Sequence, residues 1–372
     1  MADGSGVDGQ LDQPSQHGGV ISLKDRAAWA AALNGACPVL AHLNADTTWL
    51  LQLPIPTALS SASDVKLDSK CNSRPRSRYN ILIDPWLQGP QSDVASWFST
   101  QWHVVAPAVQ TIQELDSILA ELEDGHAGGV GIDQTTYIDC VAISHEFTDH
   151  CHEATLRELP KRVPVIATDK AAALIRSWKH FDTIIETPGF SADAKADWQR
   201  ALVDPNERIP PWVGIGRVIT QNNALYYHSA IMVVFDRNYS PGQQTTRQKQ
   251  EPQAVIYSPH GIKGSDLECI PAAGIKTLAL LHGLHDVRIW MTKQLNLGAL
   301  NGIQAVRACG AKYWVATHDE AKKGGGFISW LLRRKTHTLE DAAEAEKAKQ
   351  EEQGGTSYEF VELRSGDGLV LS

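Results

Sequence analysis

The chain repeatedly switches between two hydrophobic periods, and that switching limits its fold more than any other feature. Short apolar runs alternate with segments carrying apolar residues every three or four positions. "YNILIDPWL", which ends at Asp84-Pro85, precedes "TIQELDSILAELEDG"; "YIDCVAIS" leads into "DHCHEATLREL"; "VPVIAT" leads into "DKAAALIRSW". Near the end, "TLALLHG" and "AKYWVATHDE" flank "NLGALNGIQAVRACG". Strands alternating with amphipathic helices predict an α/β architecture with functional groups at strand ends.

The middle of the chain breaks the rhythm. "RVITQNNALYYHSAIMVVF" and "QAVIYSPHG" read as strands with no helix between them, joined by the polar loop "DRNYSPGQQTTRQKQEP". They predict a second, antiparallel sheet. Upstream, "SLKDRAAWAAALN" has helical spacing and "PVLAHLNADTTWLLQL" reads as two strands around an Asn-Ala-Asp turn. Residues 1–20 are polar and Gly-rich and are expected to be disordered. Residues 21–372 are expected to form a single domain, with a surface insertion at about 59–78 and a charged helix, "TLEDAAEAEKAKQEEQGG", before a last strand, "YEFVEL".

Length and charge bear on function only by exclusion. The 372 residues can bury a substantial core. Net charge is -9, from 34 Lys+Arg against 43 Asp+Glu, which disfavours a protein devoted to neutralising nucleic-acid phosphates. The six cysteines are scattered without a C-x-x-C pair and read as free thiols in a reducing compartment. No window resembles a signal peptide or a membrane span. A soluble, cytoplasmic protein acting on a small molecule is expected, its oligomeric state left open.

Chemistry concentrates in "ISHEFTDHCHEATL", where His145, Asp149, His150 and His152 follow a strand. Imidazole nitrogens and a carboxylate at one strand end suit a borderline metal such as zinc, iron or manganese. The same letters also fit a helix start in which Thr148 or Asp149 is the N-cap and the histidines are exposed. Other histidines at strand ends or within strands favour the metal: His228 in "LYYHSAIMVVF", His260 in "IYSPHG" and His318 in "WVATHDE".

"VAISHEFTDHCH" resembles the H-x-H-x-D-H signature of the metallo-β-lactamase superfamily, and "ILIDPWL" is similar to its first aspartate motif. The resemblance continues in order through "YHSAIMVVF", "AVIYSPHG" and "KYWVATHDE", over roughly Val39 to Glu320. Within the superfamily it is nearest to sugar-lactone hydrolases and N-acyl phospholipid phosphodiesterases. It implies a four-layered αββα sandwich, a divalent metal and hydrolytic chemistry. Two positions depart from the pattern: Phe147 stands where the second signature histidine belongs, and His260 stands where a bridging aspartate is usual.

The resemblance therefore implies one metal ion held by Asp149, His150, His318 and His260, with His145 and His228 as the remnant of a second position. Zinc is the first expectation, with iron or manganese also compatible. Asp84 is expected to orient a ligand histidine, and Asp149, Asp84 and Asp319 are the catalytic candidates. Trp97, Trp102, His103, His285 and Lys322 are candidates for contacting substrate. Two further outcomes stay open: a non-hydrolytic metalloenzyme performing oxidation, elimination or isomerisation, and a metal-free binding protein that kept the sandwich.

Overall fold

The computed structural model describes residues 19–60, 76–92, 100–124, 136–191, 197–220, 226, 228–241, 251–289, 293–320, 323–325, 332–338, 340, 344 and 357–372. Residues 1–18, most of the expected insertion, Trp97, Lys322 and nearly all of the charged C-terminal helix lie outside that set.

Two large sheets form the centre. The first has eight strands, in spatial order Val20–Ser22, Asp367–Val370, Val39–His42, Trp49–Pro54, Arg78–Ile83, Cys140–Ile143, Val165–Ala167 and Ile184–Glu186. The second has six: Glu359–Val361, Tyr313–Val315, Lys276–His282, Gln253–Ser258, Ser229–Phe235 and Val213–Ile219. Each is antiparallel in one part and parallel in the other, so the second sheet is mixed rather than purely antiparallel. The predicted strands on either side of the Asn-Ala-Asp turn pair antiparallel, Val39 opposite Gln52 and His42 opposite Trp49.

Alternation along these strands explains the layers. Trp49, Leu51, Ile81 and Ile83 of the first sheet share a buried core with Ile231, Val233, Phe235 and Leu281 of the second. Their sequence neighbours Leu50 and Leu82 point the other way, onto Trp29, Leu115, Leu119 and Ile175 from the helices Arg26–Leu33, Ile112–Asp124 and Asp169–Ser177. Met232, Val234 and Leu280 likewise meet Ile303 and Val306 of the helix Ala299–Cys309. Strands apolar on both faces must be covered on both faces. The result is helix, sheet, sheet, helix, the αββα arrangement that the resemblance implies.

The buried Arg78 shows how polar atoms are handled inside it. Its guanidinium donates to the carbonyls of Cys37 at 2.7 Å and Ala32 at 3.2 Å, closing the end of the helix Arg26–Leu33. The helix predicted to begin at Asp149 is shorter than its sequence suggests. His150 and Cys151 instead bond back to the Phe147 carbonyl at 2.9 and 2.7 Å, and only Glu153–Leu156 is helical. The His152 ring caps it, accepting from the Thr155 amide at 3.4 Å. No helix among the described residues is long and apolar enough to cross a membrane.

Candidate metal centre

The polar groups of interest gather where parallel strands of both sheets end. Asp84 follows Arg78–Ile83, His145 to His150 follow Cys140–Ile143, His260 follows Gln253–Ser258, and His318 follows Tyr313–Val315. These carboxyl ends are the usual place for function in parallel sheets. Asp84 and His318 both hold left-handed backbone conformations, with φ of 44° and 59°. Non-glycine residues there cost about 1–3 kcal/mol, a strain that persists only where surrounding contacts impose it.

Asp84 is fully buried and takes three donors. Its Oδ2 lies 2.7 Å from His150 Nδ1, the Ser144 amide donates to Oδ1 at 2.7 Å, and the Ser144 hydroxyl donates to Oδ2. An ionised carboxylate only accepts, so the proton is on His150 Nδ1 and the lone pair on Nε2. That Nε2 stands 3.6 Å from Asp149 Oδ1, and the other Asp149 oxygen stands 3.9 Å from His318 Nε2. Two donors on one zinc, each about 2.0–2.2 Å from it, stand about 3–4 Å apart.

His260 completes the group. The rings of His150, His260 and His318 lie 4.9–5.1 Å from one another between centroids. One ligand atom from each falls within 4.8 Å of the others, and Asp46, Asp149 and His318 form an overlapping group by the same measure. Burial, reinforced by the imidazoles of His150, His145 and His318, holds His260 well below the usual histidine range. Three imidazoles with a carboxylate beside them are a donor set that fits a divalent metal ion.

His145 sits at the margin. Its ring centroid is 5.1 Å from that of His260, and it stacks on Phe147 at 4.6 Å and on Tyr226 at 5.7 Å. Its Nδ1 is 3.3 Å from Glu146 Oε2, while Glu146 Oε1 accepts from the Tyr226 hydroxyl. Burial lowers its pKa well below the ordinary value, with His150 adding to the effect. His228 is not brought into the group. Its Nε2 donates to the Leu295 carbonyl at 3.0 Å.

The remaining candidates are dispersed. Both oxygens of Asp319 accept loop amides, from Leu284 at 2.7 Å and His285 at 3.1 Å, and burial raises its pKa to about 7. His103 stacks on Trp86 at 3.7 Å and meets Glu320 Oε2 at 3.0 Å, which fastens the strand Thr100–Trp102 to the loop after His318. Trp102 is 40% exposed. His285 is partly buried, and that burial lowers its pKa to about 4. Trp97 and Lys322 lie outside the described residues.

Two residues at the site carry no sequence signal that marks them. Asp46 Oδ1 lies 3.1 Å from His318 Nδ1, and Asn296 Oδ1 lies 2.9 Å from His260 Nδ1. The Asn-Ala-Asp turn was legible as a turn. Nothing local connects it to a histidine 272 positions away.

No family model and no curated protein matches the chain. Among solved structures it is similar to a protein described as a possible metal-dependent hydrolase from Veillonella parvula, at 10% identity and a TM-score of 0.49, over 91% of this chain and 100% of that one. It is similar to an isothiocyanate hydrolase from Delia radicum gut bacteria at 14% identity and a TM-score of 0.48, over 90% and 99%. A third is YhfI from Bacillus subtilis, described as a metallo-β-lactamase fold protein, at 13% identity and a TM-score of 0.42, over 89% and 98%.

Proposed function

We propose that the chain is a metal-dependent hydrolase of the metallo-β-lactamase superfamily that binds one divalent ion, zinc first, and acts on a small ester, lactone, amide or phosphodiester. The convergence of His150, His260 and His318 beside Asp149 is the observation that carries this reading. Bound in such a set, a divalent ion lowers the pKa of a coordinated water toward neutrality and polarises a carbonyl or phosphoryl oxygen.

The protein's own groups divide the remaining work. His150, His260 and His318 would present imidazole nitrogens as ligands. Asp149 would supply the fourth, charge-compensating donor, its two oxygens standing 3.6 Å from His150 Nε2 and 3.9 Å from His318 Nε2. Asp84 fixes the His150 tautomer and orientation from behind. Two features support one ion rather than two: Phe147 offers no donor atom, and His228 is engaged with the Leu295 carbonyl.

Metal analysis of protein purified without chelators tests the reading, followed by a hydrolysis screen against lactones, aryl esters and phosphodiesters. About one ion per chain is expected, with metal and activity both lost in Asp149→Ala, His150→Ala and His318→Ala. Full metal retention in those variants would refute the ligand assignment. Iron in the isolated protein together with oxygen-dependent turnover would redirect it to non-hydrolytic chemistry.

A further inference from the structure

Three histidines of the group are each held from behind by a different acceptor. Asp84 backs His150 at 2.7 Å, Asp46 backs His318 at 3.1 Å, and Asn296 backs His260 at 2.9 Å. Asp84 belongs to a motif that the resemblance covers. Asp46 and Asn296 do not, and each comes from a distinct structural device.

Asp46 sits in the turn before the strand Trp49–Pro54 and is fully buried. The Asn44 side-chain oxygen accepts its amide at 3.0 Å and that of Thr48 at 2.8 Å, which fixes the turn. Asp46 then grips the end of the Tyr313–Val315 strand at several atoms. Its carbonyl accepts from the His318 amide at 3.0 Å and the Thr317 hydroxyl at 3.1 Å, while its carboxylate meets the His318 ring. These contacts hold His318 in its left-handed backbone conformation and put the ring proton on Nδ1, so that the lone pair is on Nε2.

Asn296 ends the outer strand of a separate three-stranded sheet, ordered Lys293–Asn296, Asp286–Ile289 and Leu332–Lys335. The segment holds His260 at two points, through the Asn296 side chain and through the Leu297 amide, which donates to the His260 carbonyl at 3.0 Å. Its preceding residue, Leu295, engages His228. The same small sheet reaches the His318 loop from the other side, where Arg334 donates to the Glu320 carbonyl at 2.9 Å. An amide oxygen is a weaker acceptor than a carboxylate, because it carries no full charge.

We propose that Asp46 and Asn296 are positioning residues of the metal centre, fixing His318 and His260 as Nε2 ligands and setting how tightly the ion is held. This rests on reading His150, His260 and His318 as ligands. Partners of this kind typically change metal affinity about 10–100-fold when removed. The strength of the acceptor should then be read out in affinity, at two positions far apart in sequence.

The test is zinc binding to the full-length apoprotein, measured by competition with a chromophoric chelator, for Asp, Asn and Ala at each position. Thermal melting of each apoprotein and cobalt(II) absorption spectra accompany it. At both positions affinity is expected to fall in the order Asp, Asn, Ala. Asn296→Asp binds more tightly than the parent, and Asp46→Ala and Asn296→Ala bind about 10–100-fold more weakly, at unchanged saturating stoichiometry. Affinities within twofold across both series, or changes in apoprotein melting alone, overturn the proposal. A loss in Asp46→Asn as complete as that in Asp149→Ala would make Asp46 a ligand and also overturn it. A parent that binds no zinc while melting normally refutes the ligand reading itself, a result distinct from either.

Discussion

Two sets of strand-end histidines are treated differently by this chain. Around His150, His260 and His318, every ring has a defined acceptor behind it and a carboxylate or another imidazole in front. Around His145 and His228, one ring stacks on Phe147 and Tyr226, and the other is turned to a backbone carbonyl. Both regions are rich in buried imidazole, so burial does not separate them. The difference lies in whether the donors converge, and convergence rather than histidine content is the basis of the proposed metal position.

The largest expected effect on that contrast comes from Asp84. Replacing it with Ala leaves His150, the Ser144 amide and the Ser144 hydroxyl without their buried acceptor. Leaving a buried donor without its acceptor costs about 1–3 kcal/mol. Denaturant unfolding should show that loss in Asp84→Ala, together with weakened zinc binding; a stability within about 1 kcal/mol of the parent would contradict it.

Phe147→His tests the other set. It adds an imidazole beside His145, yet His228 stays committed to the Leu295 carbonyl and position 260 offers an imidazole rather than a carboxylate. Zinc stoichiometry should remain near one at micromolar metal. A second tightly held ion would show that the two sets differ by one side chain only.

A smaller effect concerns pH. His285 has its pKa lowered to about 4 by burial, against about 6.5 in the unfolded chain. Between those values the unfolded state binds the proton more readily, so the folded protein is penalised as pH falls through 6.5 toward 4. The difference in unfolding free energy between the parent and His285→Gln should therefore shift against the parent over that window and be flat above pH 7. A difference independent of pH would mean that the ring is not desolvated.

How much of this was legible in the sequence depended on how far each signal reached. The strands and most helices carry local periodicities, and the layers follow from strands apolar on both faces, as at Trp49–Pro54 and Ser229–Phe235. The histidines at strand ends could be marked, as could Asp84 before its proline. The direction of His228 could not, since it is set by the Leu295 carbonyl. Asp46 and Asn296 were hidden for the same reason: a polar residue in a turn or at a strand end has many local explanations, and only tertiary contact selects among them. The helix expected after Asp149 shrank to one turn because the chain first folds back on the Phe147 carbonyl, the turn that sets Asp149 and His150 beside each other.

The proposed centre is built from His150, His260, His318 and Asp149 and not from the His145 and His228 side. Metal content per chain, measured side by side on the parent, His150→Ala and His228→Ala after identical purification, tests it most directly. About one ion is expected in the parent and in His228→Ala, and none in His150→Ala. Loss of the ion in His228→Ala with retention in His150→Ala would contradict it.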